Sequence, residues 1–314
     1  MKVSVLLATY NGEKFLKEQI ESLLSQTYSD FLIFINDDGS TDNTIEIIND
    51  YKSKYPNKIE ILSLPQSKSP CKNFLSMLKE VKSDLYLFCD QDDVWVPEHV
   101  EILVIKYQSL APSEKVLSVL IHSDLTVVDD NLNIKSKSFF KYQKMKKNPV
   151  KWQYYFVQNN VTGNTILINN PLKELAFKGI IESNIDKIPM HDWYLALIAN
   201  LFGKIFFIDE CLTIYRQHSN NQIGAHSFND VRTYNLKLRK YFNNLNNVIV
   251  NTDLLNLVYD FYFNLLSTNQ KKIIRIIINL YEKKSLKIKR QFYLIKYNFL
   301  KFNLKRKIIQ ILFA

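Results

Sequence analysis

Three carboxylates stand within four residues in the stretch Asp90-Gln91-Asp92-Asp93, directly after the β-forming run 85–89. Like charges this close repel one another at neutral pH, and a bound cation would relieve the repulsion. Clustered oxygen ligands suit Mg²⁺ or Mn²⁺, which proteins bind through one or two carboxylates together with a substrate's phosphates. The stretch therefore predicts a metal–diphosphate site. It is equally compatible with an acidic turn that caps a helix, because Pro97 stands where a first helical turn would begin.

Strands and helices alternate in the segments that must position this cluster. Apolar runs predict buried strands at 3–8, 31–35, 59–64 and 85–89, and segments with helical spacing separate them. This fourfold alternation predicts an α/β fold, Rossmann-like, with a mostly parallel sheet and helices on both faces. Open sheets of this kind bind ligands at the carboxyl ends of their strands. The acidic stretch stands at such an end.

Glycine-rich phosphate loops are absent from the sequence. The chain has six glycines, and neither G-x-G-x-x-G nor G-x-x-x-x-G-K-[ST] occurs. Side chains and a metal, rather than a glycine cradle, would have to hold any nucleotide.

The second half of the chain continues with shorter elements. The predicted elements are a helix at 97–109, a strand at 116–122, a tight turn at 127–132, a loop at 136–151, a strand at 162–168, a helix at 171–177, a helix that begins at 191 and strands at 205–208 and 212–215. Asp192 stands at the start of a helix, where an N-cap is the structural alternative to a catalytic role.

The length of the chain predicts more than one structural region, and its cysteine content bears on the compartment in which we expect it. The 314 residues exceed one typical domain, so we expect a domain at 1–225 and a helical region at 226–314. The three cysteines form no C-x-x-C pair, which favours a reducing compartment. The sequence begins without a signal-type apolar run and has no window that would span a bilayer, so we expect a cytoplasmic protein.

Positive charge is concentrated in the last segment of the chain. Residues 271–314 hold 13 Lys and Arg and one acid, whereas residues 1–270 hold 28 basic and 30 acidic residues. Binding to nucleic acid is therefore not expected of the first domain. In the tail, an apolar stripe lies among lysines and arginines: Ile288, Phe292, Ile295, Phe299 and Phe302. This pattern favours an anionic membrane surface, with packing on the first domain or homo-oligomerisation as alternatives.

Three motifs occur in order at predicted strand ends: Val-Ser-Val-Leu-Leu-Ala-Thr-Tyr-Asn-Gly (3–12), Asn-Asp-Asp-Gly-Ser-Thr-Asp (36–42) and Cys-Asp-Gln-Asp-Asp-Val-Trp (89–95). Together they resemble family 2 glycosyltransferases of the GT-A fold, over about residues 1–220. The segments 191–197 and 212–218 resemble later motifs of the rhamnosyltransferase-like branch. The tail has no counterpart in this resemblance.

The resemblance implies a nucleotide-sugar site at the first two motifs. Thr9, Tyr10 and Asn11 would lie against the base and ribose, and Asp38 would accept a hydrogen bond from a pyrimidine N3–H. Lys72 and Asn73, on the helix before the acidic strand, are weaker candidates for donor contacts.

The resemblance also implies a metal and a catalytic base. Asp92 and Asp93 would handle metal and ribose, with Asp93 as the first choice of direct ligand to Mg²⁺ or Mn²⁺ and Asp90 orienting them. His218 would complete the metal sphere or contact the diphosphate, and Arg216 would pair with phosphate oxygens. Asp192 would take the proton of the acceptor hydroxyl.

The expected function is an inverting, metal-dependent glycosyl transfer from dTDP-rhamnose or a UDP-hexose to a glycan or lipid-linked acceptor in surface polysaccharide synthesis. A sugar-1-phosphate nucleotidyltransferase is the main alternative, although the loop 9–12 lacks the basic residue that such enzymes usually carry. A small phosphoacceptor signalling domain is too short for motifs spread over about 200 residues. A non-catalytic scaffold is the remaining alternative. Membrane association would place the protein on the inner face of the plasma membrane.

Overall fold

The computed structural model describes residues 1–147, 150–180, 184–218, 250–282 and 285–313. Its first half follows the predicted alternation. The elements are β1 (Val3–Thr9), α1 (Leu16–Leu24), β2 (Leu32–Asp37), α2 (Thr44–Lys54), β3 (Ile59–Ile61), α3 (Pro70–Glu80) and β4 (Leu85–Cys89). The predicted boundary at 225/226 and the first part of the helical region lie outside the described residues.

The second half contains longer strands than the sequence pattern predicts. The elements are β5 (Val94–Trp95), α4 (His99–Gln108), α5 (Pro112–Lys115), β6 (Ser118–Val128), β7 (Ile134–Ser136), α6 (Phe139–Gln143), β8 (Ile166–Asn169), α7 (Asn170–Phe177), α8 (His191–Phe202) and β9 (Gly203–Arg216). The two short strands predicted at 205–208 and 212–215 are one strand, β9. The predicted loop at 136–151 contains the short helix α6.

The described strands form one nine-stranded mixed sheet in the order β3-β2-β1-β4-β8-β6-β9-β5, with β7 beside β6. The pairs among β1–β4 are parallel, as predicted. β8 is antiparallel to both β4 and β6, and β5 is antiparallel to β9. The second half adds a long parallel pair, β6 with β9, so the sheet is mixed, with as many parallel as antiparallel strand pairs among the described strands. All four residues of β8 are buried. A strand that is buried on both faces is a continuous apolar run whether it runs parallel or antiparallel to its neighbours, so its sequence does not reveal its direction.

Helices cover both faces of this sheet. On one face, α1, α2 and α4 contribute Leu16, Ile47 and Leu103 to a buried cluster. On the other face, α3, α7 and α8 join a larger cluster that extends into the C-terminal helices. The sheet is thus a central layer between two cores, and its strand ends are left accessible.

Four described helices form the C-terminal region: α9 (Thr252–Phe261), α10 (Thr268–Glu282), α11 (Lys287–Lys296) and α12 (Leu304–Phe313). α9, α10 and α11 belong to the same core as the second face of the sheet, because Leu254, Ile274 and Leu294 are fully buried within it. Full burial of one such side chain stabilises the fold by about 1.5–3 kcal/mol. Packing on the first domain, one of the predicted uses of this region, is therefore present.

The predicted apolar stripe does not stay on one helix. α11 ends at Lys296, so Phe299 lies beyond it and is buried, whereas Ile288 remains 79% exposed and Phe292 57%. Within the described parts of the chain, the longest apolar helices fall short of what a bilayer-spanning segment requires.

Candidate active site

A cavity of about 800 Å³ opens at the carboxyl ends of β1, β2 and β4. The parallel register aligns Thr9 with Asp37 and Leu7 with Cys89, so the loops after these strands meet at one edge. Seven predicted site residues line the cavity: Thr9, Tyr10, Asp38, Asn73, Asp90, Asp92 and Asp192. The predicted residues Asn11, Lys72, Asp93, Arg216 and His218 are not part of its wall.

A reciprocal pair of hydrogen bonds joins the loop after β1 to the loop after β4. The Tyr10 N–H donates to Gln91 Oε1 (2.8 Å), and Gln91 Nε2 donates to the Tyr10 carbonyl (2.9 Å). The Tyr10 ring is 54% exposed at the cavity rim, where an aromatic face is available to a base. Sequence reasoning assigns no role to Gln91, although its place between Asp90 and Asp92 puts it in the motif.

The polar side chains of Thr9 and Asn11 shape the loop instead of pointing a free group at a ligand. Thr9 Oγ1 donates to Asp37 Oδ1 (2.8 Å), and Asn11 Oδ1 accepts from the Thr41 N–H (2.8 Å). Asn11 has a φ of 46°, a conformation that asparagine tolerates better than most residues. The geometry favours a supporting role for Asn11 over a contact with ribose.

Asp38 lines the cavity and also holds the start of α3. Its carboxylate accepts hydrogen bonds from the Ser67 N–H, the Ser67 hydroxyl (3.1 Å) and the Ser69 N–H (3.1 Å). A carboxylate offers about four acceptor positions, so these bonds leave room for one donor from a base.

Lys72 and Asn73 have protein partners. Lys72 Nζ lies 2.5 Å from Asp186 Oδ1. Asn73 exchanges hydrogen bonds with Asn36, accepting from its Nδ2 (2.8 Å) and donating to its carbonyl (3.2 Å). The expected donor contact is not supported for Lys72, whereas Asn73 still contributes to the cavity wall.

The three carboxylates after β4 point in different directions. Asp93 is fully buried away from the cavity and accepts hydrogen bonds from the Arg216 N–H (2.9 Å) and from Asn164 Nδ2. Asp92 accepts from His218 Nε2 (2.8 Å), and Asp90 lines the cavity. Asp92 and Asp90 therefore line the cavity, whereas Asp93, the first choice of metal ligand, is turned away from it.

Burial and mutual repulsion raise the pKa values of the two flanking carboxyls. The pKa of Asp90 is raised to about 8, first by burial and then by the charges of Asp92 and Asp192. Burial, followed by repulsion from Asp92 and Asp90, raises the pKa of Asp93 well above its usual range. Excess negative potential at this strand end would attract a cation.

Arg216 is a structural anchor in this arrangement. Its side chain is 2% exposed and lies 4.3 Å from the ring centroid of Phe15. Its guanidinium donates to the Asp92 carbonyl (3.0 Å), the Asp130 carbonyl (2.7 Å) and the Glu18 carboxylate. These contacts fix the end of β9 to the acidic loop, and they run against the expected pairing of Arg216 with phosphate.

Asp192 is the second residue of α8, and Met190 occupies the capping position. The capping alternative therefore does not describe it. Its Oδ1 accepts from the Trp193 N–H (2.6 Å), and burial raises its pKa to about 7. The preceding His191 is packed at ring-centroid distances of 4.3 Å from Phe74 and 5.1 Å from Phe88. Asp192 thus stands in the cavity wall on a well-packed helix.

Comparisons with known proteins agree with this geometry. The chain is 32% identical to the dTDP-rhamnosyl transferase RfbG of Shigella flexneri over 227 residues, which cover 70% of this chain and 74% of that protein. It is 29% identical to an uncharacterized glycosyltransferase of Nostoc over 235 residues, covering 72% and 68% of the two chains.

Solved structures share the fold. The 1–349 chain of TarS from Staphylococcus aureus, in complex with UDP-GlcNAc, superposes with a TM-score of 0.57 and 19% identity, covering 89% of this chain and 73% of that chain. The mannosyltransferase PcManGT of Pyrobaculum calidifontis, in complex with GDP-Man and Mn²⁺, gives a TM-score of 0.53 and 13% identity over 94% and 72% of the chains. The protein is a glycosyltransferase with the GT-A fold.

The family model named Glycosyl transferase family 2 matches residues 4–176, more than half of the chain. The chain therefore belongs to glycosyl transferase family 2. The nucleotidyltransferase and scaffold alternatives are set aside by this membership and by the glycosyltransferase relatives.

The possible metal ligands at the end of β4 suit a cation that binds together with a diphosphate. Among the residues that the structure describes, no three His, Cys, Asp or Glu side chains are arranged to hold a metal ion on their own. Asp92 and His218 meet next to the cavity, and Asp90 lies in its wall. Mg²⁺ in nucleotide sites takes one or two protein carboxylates and completes its sphere with phosphates and water.

The raised pKa of Asp192 predicts a pH-dependent effect of Asp192→Asn on stability. The pKa lies near 3.9 in an unfolded chain and at about 7 in the fold, so the folded protein binds more protons between these values. The free energy of unfolding must fall as pH rises across this window. Asparagine lacks this contribution, so the variant gains stability relative to wild type as pH rises from about 4 to about 7, by up to about 1.4 kcal/mol for each pH unit crossed.

Urea denaturation of both proteins at several pH values measures this difference. Carboxyls that Asp192 does not influence cancel in the comparison. The charge of Asp192 raises the pKa of Asp90, so its removal lowers that pKa and adds to the variant's relative gain in stability. Asp50→Asn, on the exposed surface of α2, controls for the substitution itself. Parallel stability curves for Asp192→Asn and wild type would contradict the assigned burial effect.

Proposed function

We propose that the protein transfers a sugar from a nucleotide-sugar to a hydroxyl of a glycan or lipid-linked acceptor, with inversion at the anomeric carbon, in the synthesis of a surface polysaccharide. The observation that carries this proposal is the placement of Asp192 in the same cavity wall as Asp90 and Asp92. The Asp192 carboxylate can then accept the proton of the acceptor hydroxyl, while the end of β4 binds the diphosphate of the donor.

Asp192 is the proposed general base. A pKa of about 7 gives a base strong enough to take a hydroxyl proton and still largely ionised at slightly alkaline pH. The bond from the Trp193 N–H occupies one face of Oδ1 and fixes the direction of the carboxylate. Because α8 is packed into the core through Leu195 and Ile198, the carboxylate is held in place before substrate binds.

The donor is proposed to lie between the loops after β1, β2 and β4. Tyr10 offers a ring face at the rim, and Asp38 accepts from the pyrimidine. Asp92, with His218 bonded to it, would hold Mg²⁺ or Mn²⁺, while Asp90 orients the site and Asp93 secures the loop. A divalent cation bound there would neutralise charge that develops on the departing diphosphate.

Two nucleotide-sugar classes are proposed as donors, dTDP-rhamnose first and UDP-hexoses second. The dTDP choice is supported by the 32% identity to a protein named as a dTDP-rhamnosyl transferase. The UDP choice is supported by the shared fold of TarS, which was solved with UDP-GlcNAc. Both nucleotides carry a pyrimidine base with an N3–H, which could donate a hydrogen bond to the Asp38 carboxylate.

Replacing the proposed base should remove turnover and its dependence on pH. We expect Asp192→Asn to lower kcat by about 10²–10⁴-fold. In the wild type, kcat should rise with pH through about 7, because the carboxyl must lose its proton to act as a base. Release of nucleoside diphosphate from a panel of nucleotide-sugars measures both effects, and Asp50→Asn serves as the control. Full activity in Asp192→Asn would refute the assignment.

Removal of metal tests the role of Asp92. Chelation should abolish turnover, and Mg²⁺ or Mn²⁺ should restore it. Asp92→Asn should weaken the affinity for Mn²⁺ in the presence of nucleoside diphosphate by at least the roughly 10–100-fold that outer-shell changes cause in metal sites. Electron paramagnetic resonance of Mn²⁺ measures this affinity without turnover. Unchanged Mn²⁺ affinity in Asp92→Asn would show that the ligands lie elsewhere.

Peripheral attachment to the inner face of the plasma membrane is proposed for α11. Ile288, Phe292 and Ile295 are exposed on this helix, and Lys287, Lys289 and Lys296 are exposed near them. Apolar groups of this kind insert at the headgroup boundary, and each nearby cation contributes roughly 1 kcal/mol of attraction to anionic lipid.

Co-sedimentation with vesicles that contain phosphatidylglycerol tests this attachment. The double variant Ile288→Ser/Phe292→Ser should bind several-fold less than wild type. Ile105→Ser, which removes an equally exposed apolar side chain from α4, should bind as wild type does. Equal sedimentation of the double variant and wild type would rule out this surface and leave oligomerisation as its alternative use.

A further inference from the structure

A second, smaller cavity of about 200 Å³ adjoins the catalytic one. Four lysines line it: Lys146, Lys151, Lys301 and Lys307. Its wall contains no acidic side chain among the residues that the structure describes. Lys301 also lines the catalytic cavity, together with Arg306. The volume is below the range of about 300–1,000 Å³ that holds drug-sized ligands, so the cavity suits a small group.

Packed aromatic side chains hold two segments of the chain around this cavity. Phe299 is fully buried, and its ring centroid lies 5.7 Å from that of Trp152 and 6.1 Å from that of Phe156. This contact docks the residues after α11 on the short 3₁₀ helix Trp152–Phe156, which carries Tyr154. Lys301 is thereby brought beside Tyr154.

α12 supplies the remaining wall and is tied to the same segment. Gln310 Nε2 donates to the Phe299 carbonyl (2.9 Å), and the Lys301 N–H donates to Gln310 Oε1 (2.8 Å). Lys307 on α12 is therefore held near Lys301 by side chain–backbone hydrogen bonds. The packing of Phe299 and the hydrogen bonds of Gln310 therefore hold the backbone segments that carry these lysines next to one another.

The Tyr154 hydroxyl lies in this wall without a hydrogen-bond partner in the described parts of the chain, although its side chain is only 6% exposed. A buried hydroxyl left unpaired costs about 1–3 kcal/mol. Burial raises the pKa of the phenol, and the charge of Arg306 opposes that rise. The hydroxyl therefore stays protonated at neutral pH, as a donor beside the cavity that has no acceptor among the described residues.

Positive charge predominates in this region. Burial, followed by repulsion from Arg306, lowers the pKa of Lys301 to about 8. An anion in the cavity would offset this repulsion and raise the pKa of Lys301 again. The lysines, the phenol donor and the small volume all favour a compact oxyanion.

We propose that this second cavity binds the phosphate or diphosphate group of the acceptor. The proposal rests on the proposed glycosyl transfer, because it gives the acceptor a charged end that is held next to the cavity of Asp192. Lys301 forms part of both walls, so a phosphorylated acceptor seated here would extend directly into the catalytic cavity. The diphosphate of the donor is proposed to bind elsewhere, at the acidic end of β4. Lipid-linked glycans and phosphate-containing polymers share this chemistry.

Calorimetric titration of the full chain with inorganic pyrophosphate tests the cavity without turnover. The titration is done with saturating dTDP or UDP, so that the donor site is filled. We expect Lys307→Gln to weaken pyrophosphate binding by at least about tenfold, because it removes a charged contact, and Tyr154→Phe to weaken it by roughly three- to tenfold. Lys54→Gln removes the same charge from the exposed end of α2, on the opposite face of the sheet, and should bind as wild type does.

A second titration with a short-chain polyprenyl diphosphate distinguishes the sources of the group. Tighter binding than pyrophosphate, again lost in Lys307→Gln, would support a lipid-linked acceptor. Equal binding of the two probes, also lost in Lys307→Gln, would support recognition of the diphosphate alone. Thermal unfolding of each variant confirms that it is folded.

Wild-type affinity in both folded variants, Lys307→Gln and Tyr154→Phe, would overturn the proposal. Loss of binding in Lys54→Gln to the same extent would also overturn it, since it would show a diffuse charge effect. Failure of the proposed glycosyl transfer is detected separately, by absent release of nucleoside diphosphate in the wild type. That result would leave the pyrophosphate titration as an independent measurement of the cavity.

Discussion

The burial of a carboxylate, Asp93, at the end of β4 is the constraint on which the site depends. A buried charge or acid must find donors in the protein, and Asp93 finds them in the Arg216 N–H and in Asn164. These bonds join β4, the end of β9 and the turn before β8. Asp92 and Asp90 line the cavity, and the Arg216 guanidinium secures the same loop by donating to the Asp92 carbonyl.

Much of this arrangement can be predicted from the sequence, because parallel strands bring their ends together. The apolar runs of β1, β2 and β4 are enough to place Tyr10, Asp38 and the acidic stretch at one edge of the sheet. The sequence pattern also predicts that Asp192 stands at the start of a helix, and it does. Those predictions depend on the period of apolar residues, which a sequence displays directly.

The remaining features depend on contacts that the sequence does not display. A run of three carboxylates does not reveal which one turns inward, since that is decided by Asn164 and Arg216, 71 and 123 residues away. Phosphate is the expected partner of Arg216, yet a guanidinium serves equally well as a donor to carbonyl groups. The direction of β8 and the continuity of β9 escape prediction because local pattern fixes neither strand pairing nor register.

The length of β9 has a consequence for how this protein can vary. β9 runs from Gly203, at the end of α8, to Arg216, and it pairs with both β6 and β5. Side chains alternate between faces along a strand, so inserting one residue between Thr213 and Arg216 would turn Arg216 to the opposite face. The turn at 129–133 is held mainly by the Asp129 side chain, and its Asp130 carbonyl accepts a hydrogen bond from Arg216. An insertion in β9 would therefore move Arg216 away from the acidic loop, whereas an insertion after Asp130 in the turn would leave the register of β9 unchanged.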